Sequence, residues 1–244
     1  MAAKLSVNVN KFATLRNSRG GSSPDLCQAA RVILDAGAMG ITVHPRADER
    51  HIRRSDVALV AQLVASNARP AEYNIEGDPR PDLMDLVCEV KPTQCTLVPV
   101  RPGEVTSEAG WDPSARTTLA PIVRRLQSNG VRVSVFVDAN EASVRLAAEL
   151  GAERIELYTE PFARAFAESP EAGQRSFEQF AAMSRLAHEL GLGVNAGHDL
   201  DLHNLVLFRN LPHLAEVSIG HALVCDALYV GLHQTVKNYI EALG

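Results

Sequence analysis

The sequence predicts a closed (β/α)8 barrel of parallel strands, on the basis of three observations. Eight short apolar, β-branched runs recur along the chain, and segments with helical periodicity lie between them. Strands that alternate with helices form βαβ units and therefore a parallel sheet. The length of 244 residues also suits eight such units, since a barrel of this kind typically takes about 250 residues. The alternative is an open doubly wound sheet, but no G-x-G-x-x-G motif follows the first run.

The individual elements can be read in chain order. The predicted strands are 5–10, 40–45, 71–77, 95–100, 131–139, 154–161, 193–199 and 215–222. Helices are predicted over 55–67, 139–152 and 176–191, where apolar residues share one face. We expect Ser55 to cap the first of these helices and Gly151 to end the second. Because no linker or shift in composition divides the chain, we expect residues 1–244 to form a single domain.

Composition and charge exclude several classes of function. Hydrophobic residues make up 46% of the chain and charged residues 22%, which is typical of a globular protein with a sizeable core. The net charge is −5 and the basic residues are dispersed, which argues against a nucleic-acid partner. No window approaches the roughly 18 apolar residues that span a membrane. We therefore expect a cytoplasmic protein without a membrane partner, whose four scattered cysteines are reduced.

Polar residues follow the predicted strands at their carboxyl ends. A parallel barrel brings these ends to one mouth, where the catalytic groups of such barrels lie. Any one of these residues could be purely structural, but their convergence favours a shared site. They are Asn8, Asn10, Lys11, His44, Arg46, Glu76, Thr106, His198, Asp199, Gly220 and His221, with His51 in an adjoining loop.

These residue types indicate a class of chemistry. Imidazoles, with a reference pKa of about 6.5, and a shielded carboxyl group can move protons near neutral pH. Arginine, lysine and backbone N–H groups at glycine-containing turns bind phosphate. The seventh and eighth strands end in AGHD and IGHA, and the loops after these strands are a frequent phosphate site in barrels. The residues thus predict acid/base catalysis on phosphorylated small molecules, without identifying the substrate.

Several motifs make the chain similar to a known family. VNVNKFATLRNSRG, GITVHPRADERHI, NIEG, VNAGHD and IGHA occur here in the order and at roughly the spacing of the pyridoxine 5′-phosphate synthase family. The resemblance runs from about residue 5 to residue 225, and ATLRN-x-RG and ITVH-x-R-x-D-x-RHI are its most specific parts. It implies a barrel enzyme that condenses 3-amino-2-oxopropyl phosphate with 1-deoxy-D-xylulose 5-phosphate. The implied products are pyridoxine 5′-phosphate, phosphate and water, formed without a metal or organic cofactor by a homo-oligomer, an octamer in that family.

The resemblance also implies roles for individual residues. The three acid/base positions fall on His44, Glu76 and His198, with His44 accepting protons and His198 donating one. Asn10-Lys11 stand where the better-known branch of the family has Asp-His, and Asp199 stands where it has glycine. The implied substrate contacts are Asn8, Asn10, Lys11, Arg19, Arg46, His51, Thr106, Asp199, Gly220 and His221.

Two other functions remain as alternatives. Histidines together with Glu76 could bind zinc in a metal-dependent barrel hydrolase or epimerase, although such sites usually include a close His-x-His pair or several carboxylates. A non-catalytic phosphosugar-binding protein could keep the pocket without the reaction. Loss of activity would be expected to change His44, Glu76 or His198, and all three are present.

Overall fold

The barrel is closed by eight parallel strands that follow one another in chain order, with β8 pairing with β1. The computed structural model describes residues 2–101, 103–104 and 107–244. Its strands are β1 Lys4–Asn8, β2 Gly40–Val43, β3 Glu72–Gly77, β4 Gln94–Leu97, β5 Arg132–Val137, β6 Arg154–Tyr158, β7 Gly193–Gly197 and β8 Leu214–Ile219. The predicted (β/α)8 fold is confirmed. The predicted runs extend past most of the strands, because their last residues belong to the loops at the barrel mouth.

Helices surround the barrel, and the connections after β1, β6 and β8 each contain two long ones. The helices of the described ranges are α1 Asn10–Asn17, α2 Leu26–Ala36, α3 Arg54–Ala65, α4 Pro81–Val90, α5 Arg116–Ser128, α6 Glu141–Glu149, α7 Glu160–Glu168, α8 Pro170–Glu189, α9 Leu205–Phe208, α10 His221–Val230 and α11 Leu232–Leu243. The three helices predicted from the sequence correspond to α3, α6 and α8. In the part of the chain that the structure covers, no helix is long and apolar enough to cross a bilayer.

The ends of two predicted helices can be compared with the structure. The prediction that Ser55 caps α3 is wrong: the N-cap is Arg53, whose backbone N–H donates to the Asp56 carboxylate at 2.8 Å. An ionised carboxylate is a stronger acceptor than a hydroxyl, and it takes over this end of the helix. Gly151 ends α6 as predicted, with a positive φ of 72° that a residue without a side chain adopts easily.

Side chains alternate strictly across the barrel wall. Residues such as Leu5, Val7, Ile41 and Val133 face the helices and form one continuous apolar core with them. The positions between them face the interior, where the side chains are largely polar. Ser6 and Thr42, on neighbouring strands, share a hydrogen bond of 2.8 Å inside the barrel. The hydrophobic core therefore lies between strands and helices, and the barrel interior is free to hold functional groups.

At the amino-terminal end of the strands, the interior holds a network of charged side chains. Glu72 accepts hydrogen bonds from Lys4 at 2.7 Å and from Arg132. Arg154 donates to Asn195 Oδ1 at 2.8 Å. This network fills the amino-terminal end of the barrel with paired charges. Among the described residues, a cavity in the barrel can therefore open only at the carboxyl ends of the strands.

Candidate active site

A cavity of about 290 Å³ opens at the carboxyl ends of the strands. Most of the residues predicted to form the site line it, although they come from five different strands and the loops that follow. The predicted residues in the lining are Asn8, Asn10, Lys11, His44, Arg46, His51, Glu76, His198, Asp199, Gly220 and His221. The barrel thus brings together residues that are separated by more than 200 positions in the chain.

Two predicted residues are not placed in this cavity. Arg19 is exposed in the loop after α1 and does not belong to the lining that the described residues form. Thr106 lies outside the residues that the structure describes.

Other lining residues were not predicted. They are Val98, Ser107, Phe136, Glu156, Leu200, Ser218, Ile219 and Ala222. Glu156 and Ser218 occupy inward positions near the middle of β6 and β8. The alternation of apolar and polar residues in RIELY and LAEVSI could have predicted both inward positions, since each is a polar residue between two apolar residues that face the helices.

Two asparagines at the end of β1 and the start of α1 hold Glu76 and His44 in place. The Asn8 side chain accepts from the backbone N–H of Asn10 at 3.0 Å and donates to Glu76 Oε2 at 3.3 Å. The Asn10 side-chain oxygen accepts from the backbone N–H of His44 at 2.9 Å. An aspartate at position 10 would offer the same acceptor, so Asn10 preserves this contact. These asparagines therefore position Glu76 and His44 through direct hydrogen bonds.

His44 and Glu76 lie side by side at the ends of β2 and β3. His44 Nδ1 is 3.8 Å from Glu76 Oε2, and both side chains are almost fully buried. Burial lowers the pKa of His44 to about 3, assisted by the nearby His51 and Arg46. Burial raises the pKa of Glu76 to about 8, against a hydrogen bond from Ser218. At neutral pH the pair is therefore a neutral imidazole next to a protonated carboxylic acid.

The second ring nitrogen of His44, Nε2, is buried and makes no hydrogen bond with the described residues. A neutral imidazole that presents an unprotonated nitrogen can accept a proton from a bound molecule. His44 thus has the protonation state of a general base.

Two more carboxyl groups lie below Glu76 inside the barrel. Glu156 is buried, and burial together with the neighbouring Glu76 raises its pKa well above the ordinary value. Glu216 is also buried, and burial raises its pKa to about 7. Because like charges at close range disfavour one another, the charge of Glu216 also raises the pKa of Glu76.

His198 faces Glu76 and His44 from the opposite part of the mouth, directly after β7. Its Nδ1 lies 3.0 Å from Asp199 Oδ2, and its ring packs edge-on against Tyr158 with centroids 5.2 Å apart. His198 and Asp199 both have positive φ, 85° and 61°. The hydroxyl of Thr159 donates to the His198 carbonyl, and Asn204 donates to the Asp199 carbonyl at 2.9 Å. These contacts stabilise a backbone conformation that non-glycine residues rarely adopt.

A buried ion pair joins α1 to α3, and hydrogen bonds from α1 hold the loop after β2. Arg16 binds both carboxylate oxygens of Asp56, at 2.7 and 2.9 Å, and also donates to the His51 carbonyl at 3.2 Å. Asn17 donates to the same carbonyl at 2.8 Å. The two most specific motifs of the sequence therefore contact each other, and their contact places His51 at the cavity.

Positive charge gathers on this side of the mouth. Arg46 is buried and donates to the Glu104 carbonyl at 3.3 Å. His51 lies beside His44, with ring centroids 6.2 Å apart, and Lys11 lies on the first turn of α1. Burial and the nearby Arg46 and Lys11 lower the pKa of His51 to about 4. The permanent charges here are those of Arg46 and Lys11, which suit an anionic ligand.

After β8, the cavity is lined by the backbone at Gly220 rather than by a side chain. Gly220 connects β8 to α10, which begins at His221. A Cβ at Gly220 would lie 3.0 Å from the Cβ and the carbonyl oxygen of Asn8, closer than such atoms normally approach. Glycine therefore lets the start of α10 close on β1, so that the amino end of this helix faces the cavity.

A metal centre is not evident in the part of the chain that the structure describes. Within residues 2–101, 103–104 and 107–244, no three His, Cys, Asp or Glu side chains form a group that could hold a metal ion. His44 and Glu76 instead contact each other.

Comparison with protein-family models gives one decisive match. Residues 5–244 match the family described as pyridoxal phosphate biosynthesis protein PdxJ. The chain belongs to this family. The resemblance noted from the motifs is thereby confirmed, and the match extends it to the end of the chain.

Curated members of the family cover the chain almost completely. The chain is 49% identical over 251 residues to a pyridoxine 5′-phosphate synthase of Leptospira biflexa, with 98% of this chain and 96% of the relative covered. It is 50% identical over 242 residues to the enzyme of the same name from Bacteroides thetaiotaomicron, with 98% and 99% covered.

Solved structures support the fold alone. Phosphoribosyl anthranilate isomerase from Thermotoga maritima superimposes with a TM-score of 0.61 at 12% identity, covering 99% of this chain and 98% of that chain. A structure titled native KDPGal structure gives a TM-score of 0.61 at 14% identity, covering 98% and 93%.

Proposed function

We propose that this chain is a pyridoxine 5′-phosphate synthase that condenses 3-amino-2-oxopropyl phosphate with 1-deoxy-D-xylulose 5-phosphate. The products are pyridoxine 5′-phosphate, phosphate and water. Membership of the PdxJ family and 49–50% identity to synthases support the reaction. The single observation in the site that carries it is the pairing of a neutral His44 with a protonated Glu76 at the cavity.

The paired groups suit the first stage of the condensation. The substrate amine must lose a proton to attack a carbonyl carbon, and the resulting carbinolamine must gain one to expel water. His44 accepts the first proton as a neutral imidazole, and Glu76 supplies the second as a carboxylic acid. Because both groups start neutral, one proton transfer in each direction leaves no net charge buried in the cavity.

His198 acts on the opposite side of the bound substrates. Asp199 accepts a hydrogen bond from Nδ1 of the ring, and this bond holds the pKa of Asp199 below its ordinary value. The carboxylate fixes the orientation of the imidazole, and a doubly protonated ring donates to Asp199 through Nδ1 and to the substrate through its other nitrogen. In this proposal, His198 protonates the oxygen that leaves during ring closure.

Two groups of contacts hold the two phosphates. Arg46, Lys11 and His51 bind one phosphate on the β2 side, and Gly220 with His221 at the amino end of α10 binds the other. The remaining contacts come from Asn8, Asn10 and Asp199. Two dianions repel each other, and a separate set of donors for each phosphate offsets this repulsion. Arg19 stays a prediction, since it lies outside the cavity.

The test of the function is a product assay with both substrates and no added metal. Wild-type protein is expected to form pyridoxine 5′-phosphate and release phosphate. Glu76→Gln is expected to fold normally and to lose nearly all turnover, because the amide keeps the shape but cannot exchange a proton. Binding of both substrates without any product in the wild type would indicate the non-catalytic alternative. Activity that appears only with added metal would favour the metal-dependent alternative.

Arg46→Ala tests the phosphate assignment. The loss of a buried guanidinium that pairs with phosphate is expected to cost about 2–4 kcal/mol in substrate binding, seen as a large increase in KM. Arg50 is the matched control, because it is exposed and pairs with Asp48 at 2.6 Å outside the cavity lining. An unchanged KM in Arg46→Ala, or an equal increase in Arg50→Ala, would contradict the assignment.

The proposal includes self-association in the cytoplasm, as an octamer. Leu228, Tyr229 and Val230 at the end of α10 are exposed by 71%, 90% and 51%, and apolar side chains so exposed commonly lie in contacts between subunits. Light scattering on the purified protein is expected to give eight times the mass of one chain, and the mass of a monomer would contradict this part of the proposal.

A further inference from the structure

The upper ring of inward side chains divides into three chemically different parts. One inward position belongs to each strand or to the residue that follows it. In the order of β1 to β8 these positions are Asn8, His44, Glu76, Val98, Phe136, Tyr158, Gly197 and Gly220. The first three carry polar side chains, and the last two carry no side chain. The three between them come from β4, β5 and β6.

Val98, Phe136 and Tyr158 form an apolar wall. They are buried, with 4%, 2% and 6% exposure, and they form a cluster separate from the main core. Phe136 and Tyr158 pack with ring centroids 5.5 Å apart, and Tyr158 also contacts the ring of His198. Val98 and Phe136 line the cavity itself. Because β5 lies across the barrel from β1, this wall faces the asparagine side of the site.

An apolar wall in this place calls for a specific explanation. The inward residues of the same strands lower in the barrel are polar: Gln94 and Thr96 precede Val98, and Ser134 precedes Phe136. Neither Val98 nor the Phe136 ring offers a hydrogen-bond donor or acceptor to a bound molecule. A hydroxyl group placed against them would lose its bonds to water without replacement, whereas a methyl group would not.

The proposed substrates contain one group that matches this surface. 1-Deoxy-D-xylulose 5-phosphate has a phosphate at one end and a methyl group at the other, and its remaining carbons carry oxygen. With its phosphate held by either set of donors at the mouth, the molecule has a single apolar end to place against an apolar surface. We infer that Val98 and Phe136, supported by Tyr158, bind the methyl end of this sugar phosphate and select it over sugars with a hydroxymethyl group there.

This inference rests on the proposed function, and D-xylulose 5-phosphate tests it directly. That sugar differs from the proposed substrate by one hydroxyl on the terminal carbon. With 3-amino-2-oxopropyl phosphate as the second substrate, the wild type is expected to favour the deoxy sugar in kcat/KM by about ten- to a hundredfold, the range in which an apolar pocket rejects an added hydroxyl. Equal use of both sugars would overturn the inference.

Substitutions of Val98 and Phe136 test whether the apolar wall determines the preference for the deoxy sugar. Val98→Thr keeps the size of the side chain and replaces one methyl group with a hydroxyl. It is expected to reduce the preference for the deoxy sugar at least about fivefold, because the new hydroxyl can hydrogen-bond the hydroxymethyl group. Val98→Ile is the apolar control, and its preference is expected to stay at the wild-type value or rise. Phe136→Tyr, which adds one hydroxyl to the same ring, is a second polar variant if Val98→Thr does not fold by circular dichroism.

The outcomes separate this inference from the proposed function. Absence of product from the deoxy sugar in the wild type contradicts the function itself. Normal product formation, with the same sugar preference in the polar variants and in Val98→Ile, contradicts only the role of the wall. A preference that falls in the polar variants alone supports it.

Discussion

At the scale of single residues, the proposed role of Glu76 predicts how activity depends on pH. Its pKa is raised to about 8 by burial, so the free enzyme holds the acid form at neutral pH and loses it above about pH 8. The pKa of His44, lowered to about 3 by burial, leaves that base unprotonated over the same range. We therefore expect kcat/KM to fall on the alkaline side near pH 8, because kcat/KM reports the groups of the free enzyme.

Two substitutions near Glu76 are expected to move this alkaline limb in opposite directions. The charge of Glu216 raises the pKa of Glu76, so Glu216→Gln is expected to shift the limb to lower pH. The hydrogen bond from Ser218 lowers the pKa of Glu76, so Ser218→Ala is expected to shift the limb to higher pH. The measurement is the pH profile of kcat/KM for each variant, and an alkaline limb that both variants leave in place would assign it to another group.

At the scale of elements, the contact between α1 and the loop after β2 combines stability with function. Arg16 and Asp56 are buried, and removing one partner leaves the other charge without compensation. Arg16→Ala is expected to lower the free energy of unfolding by about 3–5 kcal/mol and to raise KM, since Arg16 also holds the His51 carbonyl. Urea denaturation and steady-state kinetics measure the two effects.

The matched control for this pair lies on the surface of α6. Arg145 and Glu141 form an exposed i,i+4 ion pair at 2.7 Å. Arg145→Ala is expected to change the free energy of unfolding by less than about 1 kcal/mol, as is usual for exposed pairs. Equal decreases in the free energy of unfolding in the Arg16 and Arg145 variants would show that the buried ion pair stabilises the fold no more than the exposed one.

At the scale of the whole molecule, the polar barrel interior makes stability depend on pH. Glu216 has its pKa raised from 4.5 to about 7 by burial. The folded protein therefore keeps a proton that the unfolded chain has released, so the contribution of Glu216 to stability is complete below pH 4.5 and is lost as the pH rises to 7. We expect Glu216→Gln to flatten the decline over this window by up to about 1.4 kcal/mol per pH unit.

The check is the unfolding free energy at several pH values from 4.5 to 7. Glu89, whose side chain is 75% exposed, provides the control, because Glu89→Gln is expected to leave the slope unchanged. His44 acts in the opposite sense below pH 6.5, but its effect is common to all three proteins and cancels in the comparison. Parallel curves for wild type and Glu216→Gln would contradict the raised pKa.

Local patterns in the sequence were sufficient to predict the barrel and most of its mouth. Strand periodicity, helical stripes and glycine stops such as Gly151 are local features, and polar residues that follow parallel strands converge wherever those strands close into a barrel. For this reason the positions of His44, Glu76 and His198 along the chain were enough to assign them to one site, and all three line the cavity.

How these groups behave depends on contacts that form only in the folded barrel. Ser55 was expected to cap α3, but Asp56, a residue that Arg16 also binds, takes the end of the helix. Likewise, the exposure of Arg19, the neutral state of His44 next to a protonated Glu76, and the apolar wall opposite Asn8 depend on residues far apart in the chain. Burial and the sum of neighbouring charges set these properties, and both exist only once the barrel has closed.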